Sequence, residues 1–441
     1  MSILIKNGIL VTMDKERRIL NGNLYIEDNF IAAVGDTPER ADTVIDASGQ
    51  AVIPGLVQTH VHLCQTLFRG QADDLALLDW LKKRIWPLEG AHDEESIYYS
   101  ALLGCAEMLL SGTTTILDME TVHHTEAAVK GIEQSGIRCT FGKVMMDAGE
   151  GVPPSLREDA EASLAESVEL CRKWHGAAGG RLRYAFAPRF ALSCSDKLMR
   201  EVGELARRYG VLVHTHASEN REEVRLVEEL TGKRNVTYLH ELGLTGPNVV
   251  LAHCIWLDET EKEILATTGT QVAHCPSCNL KLGSGIAPVP ELISRGVNVT
   301  LGADGAPGNN NLDMFKEMHL AALIQKPLHG PTAMPAWQVM EMATLGGARA
   351  LGLEQEIGSL EVGKKADVVI VDLHGLHQTP GDTVDIYSRL VYETRGSDVA
   401  WTIVDGRPVV ADRRLLSIDV EELQRQCNLA LRRVRRRAGL E

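Results

Sequence analysis

No apolar run in this sequence approaches the roughly 18 residues that a membrane-spanning helix needs. The first residues also lack the basic and apolar regions of a secretory signal, and open on a short strand-like segment, Ile3-Leu4-Ile5. No membrane association is expected, and the cytoplasm is the expected compartment. Positive charge is scarce as well. The formal net charge is −15, which argues against a nucleic-acid-binding surface. The basic run at residues 432–437 does not alter this. It closes an amphipathic helical pattern (Val420, Leu423, Cys427, Leu431, Val434), where cations complement the helix dipole. No Gly-x-Gly-x-x-Gly motif or P-loop follows the early strands, so a nucleotide cofactor lacks its main support. Nine cysteines, an odd number scattered along the chain, give no disulfide framework and fit a reducing compartment. Cys275-Pro276-Ser277-Cys278 has no second Cys-x-x-Cys to complete a structural zinc site.

What remains is a chain with an ordinary globular balance, 44% hydrophobic and 24% charged. Its texture changes twice. Residues 1–54 read as short strands and turns, with Asn7-Gly8 and Asn21-Gly22 as turn signals. Residues 358–441 return to that texture around Val368-Val369-Ile370-Val371 and the turn Asp405-Gly406, and end in the terminal helix. The two ends are expected to join into one small β-sandwich domain. Residues 55–357 alternate strand and helix, which implies parallel strands with crossover helices. Eight strand candidates, at 51–62, 113–118, 138–144, 182–188, 211–216, 249–253, 271–274 and 297–304, fit an α/β fold of the (β/α)8 TIM-barrel type. An open doubly wound sheet is the alternative.

Barrel active sites lie at the C-terminal ends of the strands. The polar singularities of this chain cluster at such positions: His60, His62, Asp118, Lys143, Arg189, His216, His253, His274 and Asp304. A single histidine on an apolar strand is usually a satisfied core residue. Several on one rim, with an aspartate, point to a metal. His60-Val61-His62 follows a strand pattern, and residues two apart on a strand face the same side. The proposed ligands are His60, His62, His216 and Asp304, a set that suits Zn²⁺ with an open position for water, while Fe²⁺ and Mn²⁺ accept the same ligand types. Bound zinc lowers the pKa of a water to about 7. Glu219, three residues beyond His216, is the expected proton shuttle. His253 is expected to polarise the substrate or align the nucleophile.

These residues bring a family into view. Residues 54–62, His214-Thr215-His216-Ala217-Ser218-Glu219, Leu251-Ala252-His253-Cys254, Leu301-Gly302-Ala303-Asp304-Gly305 and residues 358–371 together resemble the amidohydrolase superfamily, in its metal-dependent deaminase branch. The resemblance covers essentially the whole chain. It implies the barrel with its two-ended β domain, one metal on the four ligands above, and hydrolytic removal of an amino group from a small heterocycle. It also implies a homodimer or larger assembly.

Two sets of marks compete over the substrate. Residues 67–75, Trp80, Glu89 and residues 279–288 look like the methylthioadenosine/S-adenosylhomocysteine deaminases, where Glu89 occupies the ribose-gripping position. Residues 142–147, 188–195, 218–224 and Gln65 look like guanine deaminase. Triazine hydrolases share the scaffold with fewer of these side chains. Arg189 offers a planar donor fork for a carbonyl, and Gln65 has a donor and an acceptor for a lactam edge. The reading drawn from this is zinc-dependent conversion of guanine to xanthine and ammonia. Asp304, Glu219 and His253 are its catalytic groups. Gln65, Arg189, Glu89, Trp80, Trp86 and Lys143 are its substrate contacts. Deamination of methylthioadenosine, S-adenosylhomocysteine or deoxyadenosine is the alternative, and amino- or chloro-triazine hydrolysis a further one.

Overall fold

The strand–helix alternation folds into a closed parallel barrel. The structure is a computed structural model that describes residues 1–381 and 383–440. The barrel strands are β1 (Leu56–His62), β2 (Thr113–Met119), β3 (Arg138–Gly142), β4 (Leu182–Pro188), β5 (Leu212–Ala217), β6 (Val249–His253), β7 (Gln271–His274) and β8 (Val299–Leu301). Each pairs in parallel with the next. Closure comes from the two residues Asp304–Gly305, which continue the chain after β8 and pair with Val61 and His62 of β1. The hydrogen-bonded seam of the barrel thereby sets Asp304 beside His60 and His62. Every residue of β1, β2 and β6 is buried, as expected for strands covered on both faces.

The terminal segments form a second sheet of nine strands, mixed in direction, whose middle joins Ala51–Pro54 to Ser2–Val11 on one side and Val368–Val371 on the other. Alternation sorts its residues by face. Ile3, Ile5, Val52, Val368 and Ile370 enclose a core of their own. Ala51, Ile53, Val369 and Val371 pack toward the barrel. The expected strand 51–62 is thus two strands in two sheets, joined at Gly55. A side chain there would collide with Thr114, whose Oγ1 lies 2.0 Å from the Cβ position. A buried ion pair ties the two sheets together: Arg138 of β3 donates to both oxygens of Asp367, at 2.8 and 2.9 Å.

The last helix, Val420–Arg437, buries Leu423, Cys427, Ala430 and Val434 against the helix Glu94–Leu110. Its basic end is structural in part: Arg433 pairs with Glu95 and Arg437 with Asp93. All nine cysteines are free and buried. Among the described residues, no helix is long and apolar enough to cross a membrane.

Candidate metal centre and substrate cavity

His60, His62, His216 and Asp304 converge at the C-terminal mouth of the barrel, with one ligand atom from each within 4.8 Å of the others. Hydrogen bonds to the rings decide which nitrogens face the centre. His62 Nδ1 donates to the Met119 carbonyl at 2.8 Å, and His216 Nδ1 donates to the Arg189 carbonyl at 2.7 Å. A carbonyl can only accept, so both protons are on Nδ1 and both Nε2 atoms carry lone pairs. Those two Nε2 atoms face each other at 3.2 Å. Asp304 Oδ1 lies 3.2 Å from His60 Nε2 and 3.3 Å from His62 Nε2. His60 Nε2 is buried without a hydrogen-bond partner. Lone pairs and a carboxylate crowded this closely need a cation between them, and the donor set fits a divalent ion of the zinc type.

Burial lowers His60 to about 4 and holds His216 well below the ordinary histidine value, so both are neutral. Burial opposes ionisation of Asp304, yet its close contacts with the His60 and His62 rings hold it well below the usual carboxylate range. His62 is raised by the same contact with Asp304, against burial. Asp304 has φ 62° and His253 φ 73°, left-handed conformations that non-glycine residues adopt at a cost. Both are aimed into the site from strand ends.

Glu219 lies beyond β5, where Ser218 (φ 54°) turns the chain into the helix Arg221–Thr231. The capping box of that helix fixes it: Glu223 Oε2 accepts the Glu219 N–H at 2.7 Å and the Asn220 N–H at 3.2 Å. Burial pushes the Glu219 carboxyl well above its usual range, and the charges of Asp304 and Glu223 add to this. Its Oε2 stands 3.5 Å from His253 Nε2, and its Oε1 has no partner. His253 is lowered, chiefly by burial, and its Nδ1 bonds to Asn279 Oδ1 at 2.9 Å.

Beside these groups lies a small cavity that opens to the surface. His62, His216, Asp304 and Glu219 form its polar floor, and Leu77, Trp80, Leu81 and Phe190 its apolar walls. Gln65 and Arg189 complete it. Arg189 is not a free donor fork. Its two terminal nitrogens donate to the buried Glu89 carboxylate at 2.6 and 3.2 Å. Gln65 Nε2 donates to the same carboxylate at 2.8 Å, which leaves Gln65 Oε1 as a buried acceptor without a partner.

Two expected substrate contacts are placed elsewhere. Lys143 projects from the end of β3 away from the cavity, where its ammonium meets Glu158 at 2.6 Å and Ser163 at 3.4 Å. A buried ammonium requires such a partner, and neither Lys143 nor Glu158 lines the metal-side cavity. Trp86 lines a neighbouring groove with Leu78 and Lys82 instead of the metal-side cavity. The π-helical turn Leu81–Ile85 stands between the two tryptophans, with Trp80 the one turned to the site.

Three residues of the site were not foreseen. His214 Nε2 bonds to His60 Nδ1 at 2.9 Å, and His214-Thr215-His216 repeats the spacing of His60-Val61-His62. That repeat was the available signal. Asn279 orients His253, and Glu223 orients Glu219. The role of Asn279 depends on a contact between loops that spacing does not reveal, whereas that of Glu223 follows the local Asn220-x-x-Glu223 capping-box spacing. Asp118, noted at a strand end, accepts the Leu63 N–H at 2.9 Å and so directs the chain as it leaves His62.

An amidohydrolase family model matches residues 51–409 of the chain. The chain is 44% identical over 440 residues to the 5'-deoxyadenosine deaminase of Methanosarcina acetivorans, covering 99% of each protein. It is 41% identical over 440 residues to the 5-methylthioadenosine/S-adenosylhomocysteine deaminase of Syntrophobacter fumaroxidans, covering 98% of each. Among solved structures it is similar to an adenosine deaminase from Xanthomonas campestris with bound zinc. The TM-score is 0.92 at 33% identity, with 98% of each chain covered.

Proposed function

The chain belongs to the amidohydrolase family, and from that premise we propose that it is a zinc-dependent deaminase of an adenosine analogue. The substrate is 5'-deoxyadenosine or a 5'-thioether relative, and the products are the corresponding 6-oxopurine nucleoside and ammonia. This replaces the guanine reading. The observation that carries the change is the state of Arg189. Its two terminal nitrogens are both held by the Glu89 carboxylate, so the edge of the fork that would meet a guanine carbonyl is turned to that carboxylate instead. The three-residue network instead leaves one acceptor open, Gln65 Oε1, which suits a hydroxyl donor of a ribose. The names of the two relatives above support the same substrate class.

His60, His62, His216 and Asp304 would hold a divalent ion, which would supply a Lewis acid and a water made nucleophilic near neutral pH. The chain's own groups move the protons. Asp304, ionised beside its histidines, accepts a proton as the water attacks the amino-bearing carbon. Glu219, with its raised pKa, exchanges a proton at the adjacent ring nitrogen. His253, kept neutral by burial and oriented by Asn279, stands over the carbon where tetrahedral charge develops. Trp80 and Phe190 wall the ring. An ammonia-release assay on each candidate separately tests the proposal. Turnover of 5'-deoxyadenosine or methylthioadenosine is expected, and faster turnover of guanine would overturn it.

A further inference from the structure

Glu317 is a fully buried carboxylate that the proposed reaction does not use, and it lies outside the cavity, in the first turn of the helix Met314–Ile324. No cation pairs with it among the described residues. Three donors converge on it instead. Ser277 Oγ donates to Oε1 at 2.5 Å, Ser277 N–H to Oε2 at 3.1 Å, and Asn309 Nδ2 to Oε1 at 2.9 Å. A carboxylate withdrawn from water and satisfied only by hydrogen bonds costs more to keep than a neutral apolar side chain, so its presence asks for a reason.

The donors show what it joins. Ser277 lies in the turn after β7, in the short helix Pro276–Lys281 that also carries Asn279. Asn279 Oδ1 holds His253 Nδ1 at 2.9 Å. Asn309 ends the segment Ala306–Asn309 that follows Asp304. Its amide also donates to the carbonyl of Ala303 at 2.8 Å, immediately before Asp304. One carboxylate therefore grips both the turn that orients His253 and the loop that carries Asp304. A second tie joins the same loops nearer the surface, where Lys281 Nζ donates to the Pro307 carbonyl at 2.9 Å and meets Asp73.

We propose that Glu317 is a positioning residue that clamps the loops after β7 and β8, and so sets His253 and Asp304 relative to each other. Both residues sit in left-handed backbone conformations, which need surrounding contacts to persist. The clamp supplies such contacts from one rigid helix. Glu317 touches neither substrate nor metal; its effect passes through Ser277 and Asn279 on one side and Asn309 on the other. Glutamine at this position can keep an oxygen toward Ser277 Oγ and Asn309 Nδ2 but then sets an amide N–H against the Ser277 N–H, so Glu317→Gln keeps the shape and breaks the clamp at the backbone of the turn after β7.

The inference rests on the deaminase reading for its catalytic readout, and a second readout makes the two separable. With protein loaded with one Co²⁺ per chain, Glu317→Gln is expected to shift the visible absorption of the bound ion, because Asp304 changes position. With zinc-loaded protein and the adenosine analogue that wild type turns over fastest, kcat is expected to fall at least tenfold and KM to change less than threefold. Asn309→Ala removes one arm of the clamp without altering the carboxylate, and is expected to give a smaller drop in kcat. Glu317→Gln in the Asn309→Ala background is expected to add less than it does in wild type. An unchanged cobalt spectrum together with unchanged kcat at equal metal content would overturn the proposal. So would full additivity of the two substitutions. If Glu317→Gln proves insoluble, Ser277→Ala and Asn309→Ala with their double variant carry the same test. Wild type inactive on every adenosine analogue would sink the deaminase reading and leave the cobalt measurement to decide the clamp.

Discussion

Substituting Arg189 by methionine probes the point on which the substrate assignment turns. The side chains of Arg189 and Glu89 are 4% and 1% exposed, and they meet through two hydrogen bonds. Removing the guanidinium leaves the Glu89 carboxylate buried with Gln65 as its remaining donor. Breaking a buried pair from one side costs about 3–5 kcal/mol, because the partner charge is stranded. Unfolding entropy of about 2.1 cal/mol/K per residue gives a chain of this length roughly 0.9 kcal/mol per kelvin, so the transition should fall by about 3–5 °C. Glu89→Gln in the same protein removes the stranded charge, and the double variant should recover at least half of the loss. Calorimetry at fixed zinc measures both. Turnover of an adenosine analogue should fall more than tenfold in the single variant, since Glu89 loses the contact that fixes its carboxylate. A transition temperature within 1 °C of wild type, or a double variant no more stable than Arg189→Met, would refute the reasoning.

Other outcomes follow from the site. Glu219→Gln should retain one zinc per chain and lose turnover by about 10²–10⁴-fold, as expected for a removed proton shuttle; loss of metal would place Glu219 among the ligands instead. Chelation of the metal should lower the thermal transition, because an ion at 1,000 times its Kd contributes about 4 kcal/mol to the folded state; the shift should vanish in Asp304→Ala, and differential scanning calorimetry checks it. His274 is fully buried with neither ring nitrogen hydrogen-bonded, and burial lowers it to about 3. Its folded pKa lies below the unfolded value, so the unfolded chain binds the extra proton and stability is lost as pH falls from about 6.5 toward 3. His274→Leu should flatten that acid slope in urea titrations; an unchanged slope would show that this ring does not contribute.

How much of this was legible in the sequence depends on the distance over which each feature is encoded. The barrel was readable because its strands are short apolar runs separated by amphipathic helices. The four ligands were readable because each ends such a run. Gly55 marks the limit of that logic: one apolar stretch from Ala51 to His62 serves two sheets, and nothing in its composition marks the break. Arg189 was correctly placed at a strand end, but its partner Glu89 lies 100 residues earlier, and only the closed barrel brings them together. Read alone, the guanidinium looked like a free donor for guanine. Lys143 shows the converse. A strand-end lysine can turn from the cavity when a carboxylate beyond it takes the ammonium, and Glu158 is that carboxylate. Trp80 and Trp86 share one helical segment, and the local π turn decides which of them meets the cavity. His214 had a readable signal in the repeated His-x-His spacing, whereas Asn279 and Glu317 act between loops and had none.

The central claim is that the metal centre, with Arg189 committed to Glu89, serves an adenosine analogue. A competition experiment tests it most directly. Zinc-loaded enzyme is given 5'-deoxyadenosine, methylthioadenosine and guanine together at equal concentration, and initial rates of product formation are resolved by chromatography. The ratio of rates equals the ratio of kcat/KM values. At least a hundredfold preference for one of the two nucleosides over guanine is predicted. Xanthine forming as fast as either nucleoside product would contradict it.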